Sequence, residues 1–232
     1  MHRIAFRHLL VLLALLPAAA AQAADRRESR PVTAFTAVSI SAPIEVELVQ
    51  SDRESLVLEG PEDIIAALET AVEGSTLRIH MKPAFTFARG RVKASLTARS
   101  VESIAISGAG DFASPALKSE ALRIAIAGSG DVRIGRLDAT RLDASISGSG
   151  DIHAAGRVDR LAIRIEGSGD LHGEDLEAHD AKVGITGSGD VRVWARDSLT
   201  ATVAGSGDVR YRGDPRIERS VAGSGSVRPM SR

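Results

Sequence analysis

The sequence predicts an all-β fold: a parallel β-helix (β-solenoid) with about 20 residues per coil and an irregular N-terminal β segment. Three observations carry this. Gly-Ser-Gly-Asp, or a near copy, begins at Gly108, Gly128, Gly148, Gly167, Gly187, Gly205 and Gly223, with steps of 20, 20, 19, 20, 18 and 18 residues. A fixed period over more than half the chain marks stacked units that cannot bury their apolar faces alone. Apolar residues also alternate with period two on both sides of these turns. Finally, the seven turns hold 14 of the 22 glycines, so the glycine content is structural and not a sign of a flexible linker.

In chain order, residues 1–23 read as a secretory signal peptide. Arg3, Arg7 and His8 form the basic region, Leu9 to Leu16 the apolar stretch, and Ala21-Gln22-Ala23 the cleavage site. That apolar stretch is too short to span a membrane, and no span is expected after the signal is removed. Residues 24–34 are polar and charged and are expected to form a tether. Residues 35–100 are expected to form an N-terminal β segment that caps the solenoid, the alternative being a small separate domain. Strands are predicted at Val38–Ile40, Ile44–Val49 and Glu54–Leu58, with a helical turn opening at Pro61-Glu62-Asp63. Thr70–Glu73 and Thr76–Met81 read as a hairpin around Gly74-Ser75, and 91–98 alternates again.

Residues 101–229 are the repeats. Four and two residues before the first glycine stand Ile104/Ile106, Ile124/Ile126, Ala144/Ile146, Ile163/Ile165, Val183/Ile185 and Ala201/Val203. Four and six residues after it stand Val132/Ile134, Ile152/Ala154, Val191/Val193 and Val209/Tyr211. Leu117, Leu137 and Leu176 start a third apolar column. Alternation puts these side chains on the inner face. The paired glycines, Gly108/Gly110, Gly128/Gly130, Gly148/Gly150, Gly167/Gly169, Gly187/Gly189, Gly205/Gly207 and Gly223/Gly225, are expected to make the corners, where φ > 0 is needed. The last coil replaces Asp with Ser226 and follows it with Arg228-Pro229, charge and proline that blunt an open edge.

Composition narrows the function. There is no cysteine, so an exported chain would carry neither a disulfide nor a lipid-attachment thiol. A net charge of −1 gives no bias toward nucleic acid, and 3% aromatics is poor material for stacking sugars or bases. Export to the periplasm, cell surface or medium is expected.

These residues together resemble the family called putative auto-transporter adhesin, head GIN domain. The resemblance runs from about Phe35 to Pro229. It is carried by the opening Phe35-Thr36-Ala37-Val38-Ser39-Ile40-Ser41-Ala42-Pro43-Ile44-Glu45-Val46-Glu47-Leu48-Val49-Gln50, by Val72-Glu73-Gly74-Ser75-Thr76-Leu77-Arg78-Ile79, and by the Gly-Ser-Gly-Asp-Val repeats. It implies a right-handed parallel β-helix in an exported bacterial protein. The sequence has no C-terminal run of alternating ten-residue strands of the kind that forms a membrane barrel.

Stacking turns repeats into surface columns. One is acidic: Asp111, Asp131, Asp151, Asp170, Asp190 and Asp208. Carboxylates about 5 Å apart repel by roughly 1 kcal/mol in water, so something offsets them. The plain expectation is that each accepts hydrogen bonds from its own turn, and calcium is the alternative. Two residues further on, Arg133, His153, His172, Arg192, Arg210 and Arg228 form a basic stripe. It either balances the charge or makes a track for an anionic polymer. His153 and His172 invite a metal, but no cysteine or third histidine joins them. A third column is small: Ala105/Ser107, Ala125/Ala127, Ser145/Ser147, Gly184/Thr186, Thr202/Ala204 and Ser220/Ala222, with Arg164/Glu166 as the exception. That face is expected to pack on the N-terminal third or on a second copy, making a homo-oligomer, or simply to be solvated.

Arg212-Gly213-Asp214 spells an integrin-type tripeptide that a turn also explains. No Ser, His and Asp share a nucleophile motif. The sequence therefore reads as a non-enzymatic envelope or surface protein for adhesion, binding or scaffolding, with no cofactor and with an unidentified glycan or protein as partner. The alternatives are a polysaccharide hydrolase or lyase using adjacent aspartates, and a calcium-binding surface repeat protein.

Overall fold

The computed structural model describes residues 25–83 and 90–230. The signal peptide expected at 1–23 lies outside the described residues. Strands β1 (Asp25–Arg30), β2 (Ala37–Ser41), β3 (Glu45–Gln50) and β4 (Ser55–Pro61) lead into α1 (Glu62–Ala67), followed by β5 (Leu68–Glu73), β6 (Thr76–Met81) and β7 (Lys93–Ala98). The repeats supply β8 (Ser103–Gly108), β9 (Asp111–Ser114), β10 (Leu117–Gly128), β11 (Val132–Gly148), β12 (Ile152–Gly167), β13 (Leu171–Gly187), β14 (Val191–Gly205), β15 (Asp208–Arg212), β16 (Arg216–Gly223) and β17 (Ser226–Pro229). The chain is a β-helix, as its repeats predict.

Each repeat pairs with the next in parallel, in register with the sequence period. Ile124 lies beside Ile104 and Ala144, Val132 beside Phe112 and Ile152, and Leu137 beside Leu117. The strands of the middle coils run 15 to 17 residues and bend around the remaining corners, where the register shifts. Only the Gly-Ser-Gly-Asp corner interrupts them. All three predicted apolar columns point inward, and Ile104, Ile124, Val132, Leu137 and Ile165 are fully buried. Burial of such side chains contributes about 1.5–3 kcal/mol each relative to exposure.

The two glycines of a turn do different jobs. The first takes φ between 100° and 137° in all seven turns, the conformation only glycine adopts freely. The second corrects the expectation. Gly110, Gly130, Gly150, Gly169, Gly189, Gly207 and Gly225 do not take a positive φ, so none of them is there to make the bend. What they lack is space. A Cβ on Gly150 would overlap the carbonyl oxygen of Gly130 one coil below. In the same way Gly130 lies on Gly110 O, Gly169 on Gly150 O, Gly189 on Gly169 O, Gly207 on Gly189 O and Gly225 on Gly207 O. Gly110 starts the column on Ala42 O of the cap. A φ-driven corner therefore holds for the first glycine alone, whereas close approach of the coils requires the second and, from Gly128 on, the first as well.

The strands described between residues 35 and 100 pair with the repeats, but not in chain order. β2 lies between β6 and β8, and β3 lies between β7 and β9. The coil written first is thus sandwiched between the two written after it. Antiparallel strands close this end: β5 on β6, β4 on β7, and β1 on β4. The segment shares one apolar core with the repeats, so a separate small domain is not formed. Pro61 caps α1, Glu62 and Asp63 fill its first turn where the helix dipole favours acids, and Ile64, Ile65 and Ala67 are buried.

The expected tether is not a tether along its whole length. Asp25–Arg30 forms β1, with Arg30 opposite Leu56. Its lack of apolar alternation hid it, because an edge strand can be polar throughout. Arg26 and Arg30 both pair with Glu28, at 2.8 and 2.6 Å. At the far end β16 is exposed along its length, with Ile217 and Val221 open to solvent.

Candidate functional site

The acidic column is a hydrogen-bond ladder. At each turn the carbonyl of the first glycine accepts N–H bonds from the next coil: Gly128 O takes Ser149 N–H at 2.9 Å and Gly150 N–H at 3.1 Å. The following N–H, that of the aspartate, reaches a carboxylate instead. Asp131 N–H donates to Asp111 Oδ1 at 3.0 Å, and Asp151, Asp170, Asp190 and Asp208 repeat the contact on the carboxylate below at 2.7–3.0 Å. The donor is thus in the next coil, not in the aspartate's own turn. Ser226 Oγ closes the ladder on Asp208 Oδ1 at 2.7 Å. The ladder uses the aspartates uniformly and sets no pair apart.

The basic stripe lies beside it, in register from Arg133 through His153, His172, Arg192 and Arg210 to Arg228. Arg133 pairs with Asp131 Oδ2 at 2.8 Å, and Arg210 and Arg228 reach Asp208 Oδ2 at 3.8 and 3.9 Å. Much of the stripe therefore neutralises the ladder. His153 and His172 stack, with centroids 4.3 Å apart and planes 12° from parallel. Burial, then His172 and Arg133, holds the His153 imidazole below its ordinary pKa. A guanidinium nitrogen of Arg192 donates to His172 Nδ1 at 2.7 Å.

A second outward face carries paired charges. Arg157 binds Asp138 at 3.1 Å, Arg196 binds Glu177 at 2.8 Å, and His179 meets Asp197 at 2.8 Å. Gly213 takes φ 104°, so Arg212-Gly213-Asp214 is a turn, with Arg212 stacked 4.2 Å over Trp194.

The small-residue face is different. It does not pack on the N-terminal third, which sits on the end of the rod. It holds a groove of about 650 Å³ floored by Ser145 and Gly184 and bounded by Arg123, Arg164 and Lys182. Register explains the groove: Arg164 stands between Ser145 and Gly184, so one long side chain rises between two short ones. Arg123 and Lys182 come from the column two residues earlier, where Asp143 is their only acidic companion in the groove. Among the described residues these three cations make no ion pair. Sequence reasoning flagged Arg164 only as an exception to the small column. Lining up the positions five and three before the glycine would have found all three.

The comparisons agree with the fold. The family model described as "Putative auto-transporter adhesin, head GIN domain" matches residues 34–215. A putative adhesin from Bacteroides fragilis is 25% identical with a TM-score of 0.86, covering 90% of this chain and 98% of its own. A putative lipid binding protein from Parabacteroides distasonis is 26% identical with a TM-score of 0.71, covering 89% and 97%. A putative adhesin from Parabacteroides merdae, 20% identical with a TM-score of 0.71 over 89% and 96%, shares the fold. No curated protein matches the chain in sequence.

Proposed function

This chain belongs to the head GIN domain family of putative auto-transporter adhesins, and from that premise we propose that it is a non-enzymatic, exported binding protein of the bacterial envelope or surface. Its ligand is an anionic polymer held across the coils by Arg123, Arg164 and Lys182. One observation carries this reading. Some outward cations, such as Arg133, Arg157 and Arg196, are matched by carboxylates, whereas these three line one groove of about 650 Å³ and, among the described residues, make no ion pair. Cations spaced along a rod suit a ligand that repeats its charge. The groove has no aromatic lining, so recognition rests on charge and on hydroxyls from Ser145 and Thr202.

Two sources supply such a ligand: an acidic polysaccharide and an anionic lipid headgroup. The lipid-binding description of the Parabacteroides distasonis protein supports weighing the second. Binding to immobilised acidic polysaccharides, to their neutral counterparts and to anionic vesicles separates them. Saturable binding to the acidic sugars alone is expected. Binding to none of the three would end the proposal, and reducing ends released from the sugar would mark an enzyme instead. Export is tested by labelling a C-terminal epitope on intact and permeabilised cells. Retention of the label in the cytoplasm would refute it.

A further inference from the structure

We propose that Asp151, His153 and His172 form a site for one divalent transition metal of the zinc, nickel or copper class. In sequence the histidines stand alone, with no cysteine or third histidine beside them. The fold supplies the missing ligand as a carboxylate. His153 is directly opposite His172 on parallel β12 and β13. Asp151 lies two residues before His153, directly after the second turn glycine, Gly150. Each of the three offers one ligand atom, and these atoms lie within 4.8 Å of one another.

The chemistry of the set selects the metal. Imidazole prefers zinc, copper and nickel, whereas calcium and magnesium prefer an all-oxygen shell. Asp151 Oδ1 is committed to Asp170 N–H at 2.9 Å, which leaves Oδ2 for the metal. Metal–ligand bonds of about 2.0–2.2 Å require the three atoms to converge. The stacked rings must fan apart about their side-chain torsions. Both rings are only half-buried, so they have room to do so.

Two neighbours bear on the site. Glu174 lines the same hollow as both histidines, and its Oε2 is buried without a hydrogen-bond partner. An ordered carboxylate oxygen with no donor is an unusual feature, and a metal ion or a metal-bound imidazole N–H would satisfy it. Arg192 donates to His172 Nδ1. Guanidinium only donates, so this nitrogen presents its lone pair, the form a metal requires. A metal on Nδ1 displaces Arg192. One on Nε2 moves the ring proton to Nδ1 and breaks the same contact. The positions above and below the pair are Arg192 and Arg133, so the column holds one ion and no chain of ions.

The test is zinc titrated into chelator-treated, untagged protein by calorimetry, with histidine NMR alongside. One equivalent is expected to bind, moving the ring signals of His153 and His172 while those of His80 and His179 stay put. His172→Gln should weaken binding at least about tenfold, and Glu174→Gln by about 10- to 100-fold, the loss typical of a carboxylate that orients a metal-bound imidazole. His179→Gln, at the paired site on another face, should change nothing. His153, His172 and Glu174 are half-buried and His179 is exposed, and an unchanged circular dichroism spectrum confirms folding of each variant. Failure to saturate at one equivalent, equal binding by His153→Gln/His172→Gln, or equal affinity for calcium would each overturn the proposal. None of these results depends on the anionic ligand, so this site and the groove stand or fall separately.

Discussion

The backbone N–H of Asp170 donates to Asp151 Oδ1 at 2.9 Å, and Asp170 Oδ1 accepts the N–H of Asp190 at 2.7 Å. One carboxylate per coil thus completes the hydrogen bonding of the coil above. The first-glycine carbonyl has already taken the preceding N–H groups, so the side chain stands in for a missing backbone acceptor. This explains why aspartate recurs although like charges stacked together repel.

Asp170→Ala should leave the N–H of Asp190 without its partner. The expected loss is about 1–3 kcal/mol, measured by chemical denaturation. Asp170→Asn keeps an acceptor oxygen and relieves like-charge repulsion, so it should cost less than alanine. Equal losses in the two variants would show that the acceptor is not what the position supplies.

The same ladder sets an expectation for calcium. Five carboxylates already spend Oδ1 on backbone N–H groups, and Arg133 occupies Oδ2 of Asp131. We expect millimolar calcium to leave the melting temperature where chelator leaves it. A rise with calcium concentration would identify binding to the folded state.

Gly150→Ala should be severely destabilising, by about 3 kcal/mol or more, because the added Cβ meets the Gly130 carbonyl and coils cannot separate singly. Gly184→Ala is the control. Its Cβ would find only Ile163 O, at 3.9 Å, and its φ is not positive. Thermal melts of the two should differ widely, and similar melts would remove the steric account of the turn.

Much of the architecture was legible because a solenoid writes each contact as a sequence period. Ile124 predicts Ile104 and Ala144 by subtraction alone. The second glycines were legible as a column, yet their reason was not, because the sequence shows a recurring Gly without the carbonyl that lies against it. The cap was legible only as strands, since nothing local says that β2 is sandwiched between β6 and β8. β1 was illegible because an all-polar edge strand has the composition of a tether. The groove was missed for a different reason. Arg123, Arg164 and Lys182 sit in two columns and three coils, and what sets them apart is that they line one groove. That is a property of neighbours in space. The third ligand of the histidine pair was hidden because Asp151 also belongs to the acidic column.

Asp138 gives the acid side of the pH profile. A hydrogen bond from Arg157 holds its carboxyl below the ordinary value of 3.8. A lowered folded-state value means that the pair stabilises above 3.8 and loses this contribution as pH falls through the folded value. Both side chains face solvent, so the effect is screened and small. Asp138→Asn should lower the melting temperature slightly near neutrality, where the parent keeps the charged pair, and the difference should vanish as pH falls through the folded value. A difference from the parent at acid pH as large as at neutral pH would show that the pair does not work through charge.

The groove yields the sharpest contrast between function and stability. Arg164 is exposed and makes no ion pair, so Arg164→Glu removes nothing that holds the coil together. Its melting temperature should stay close to the parent's. Its binding to an acidic polysaccharide should fall by about tenfold or more, since reversal replaces an attraction by a repulsion in the groove's lining. Arg210→Glu, on the stripe whose charge Asp208 already balances, should weaken binding far less. Binding should also weaken as salt rises, because the Debye length shrinks from about 10 Å at 0.1 M to about 3 Å at 1 M. Equal losses for the two reversals would mean that overall charge, and not this groove, attracts the polymer.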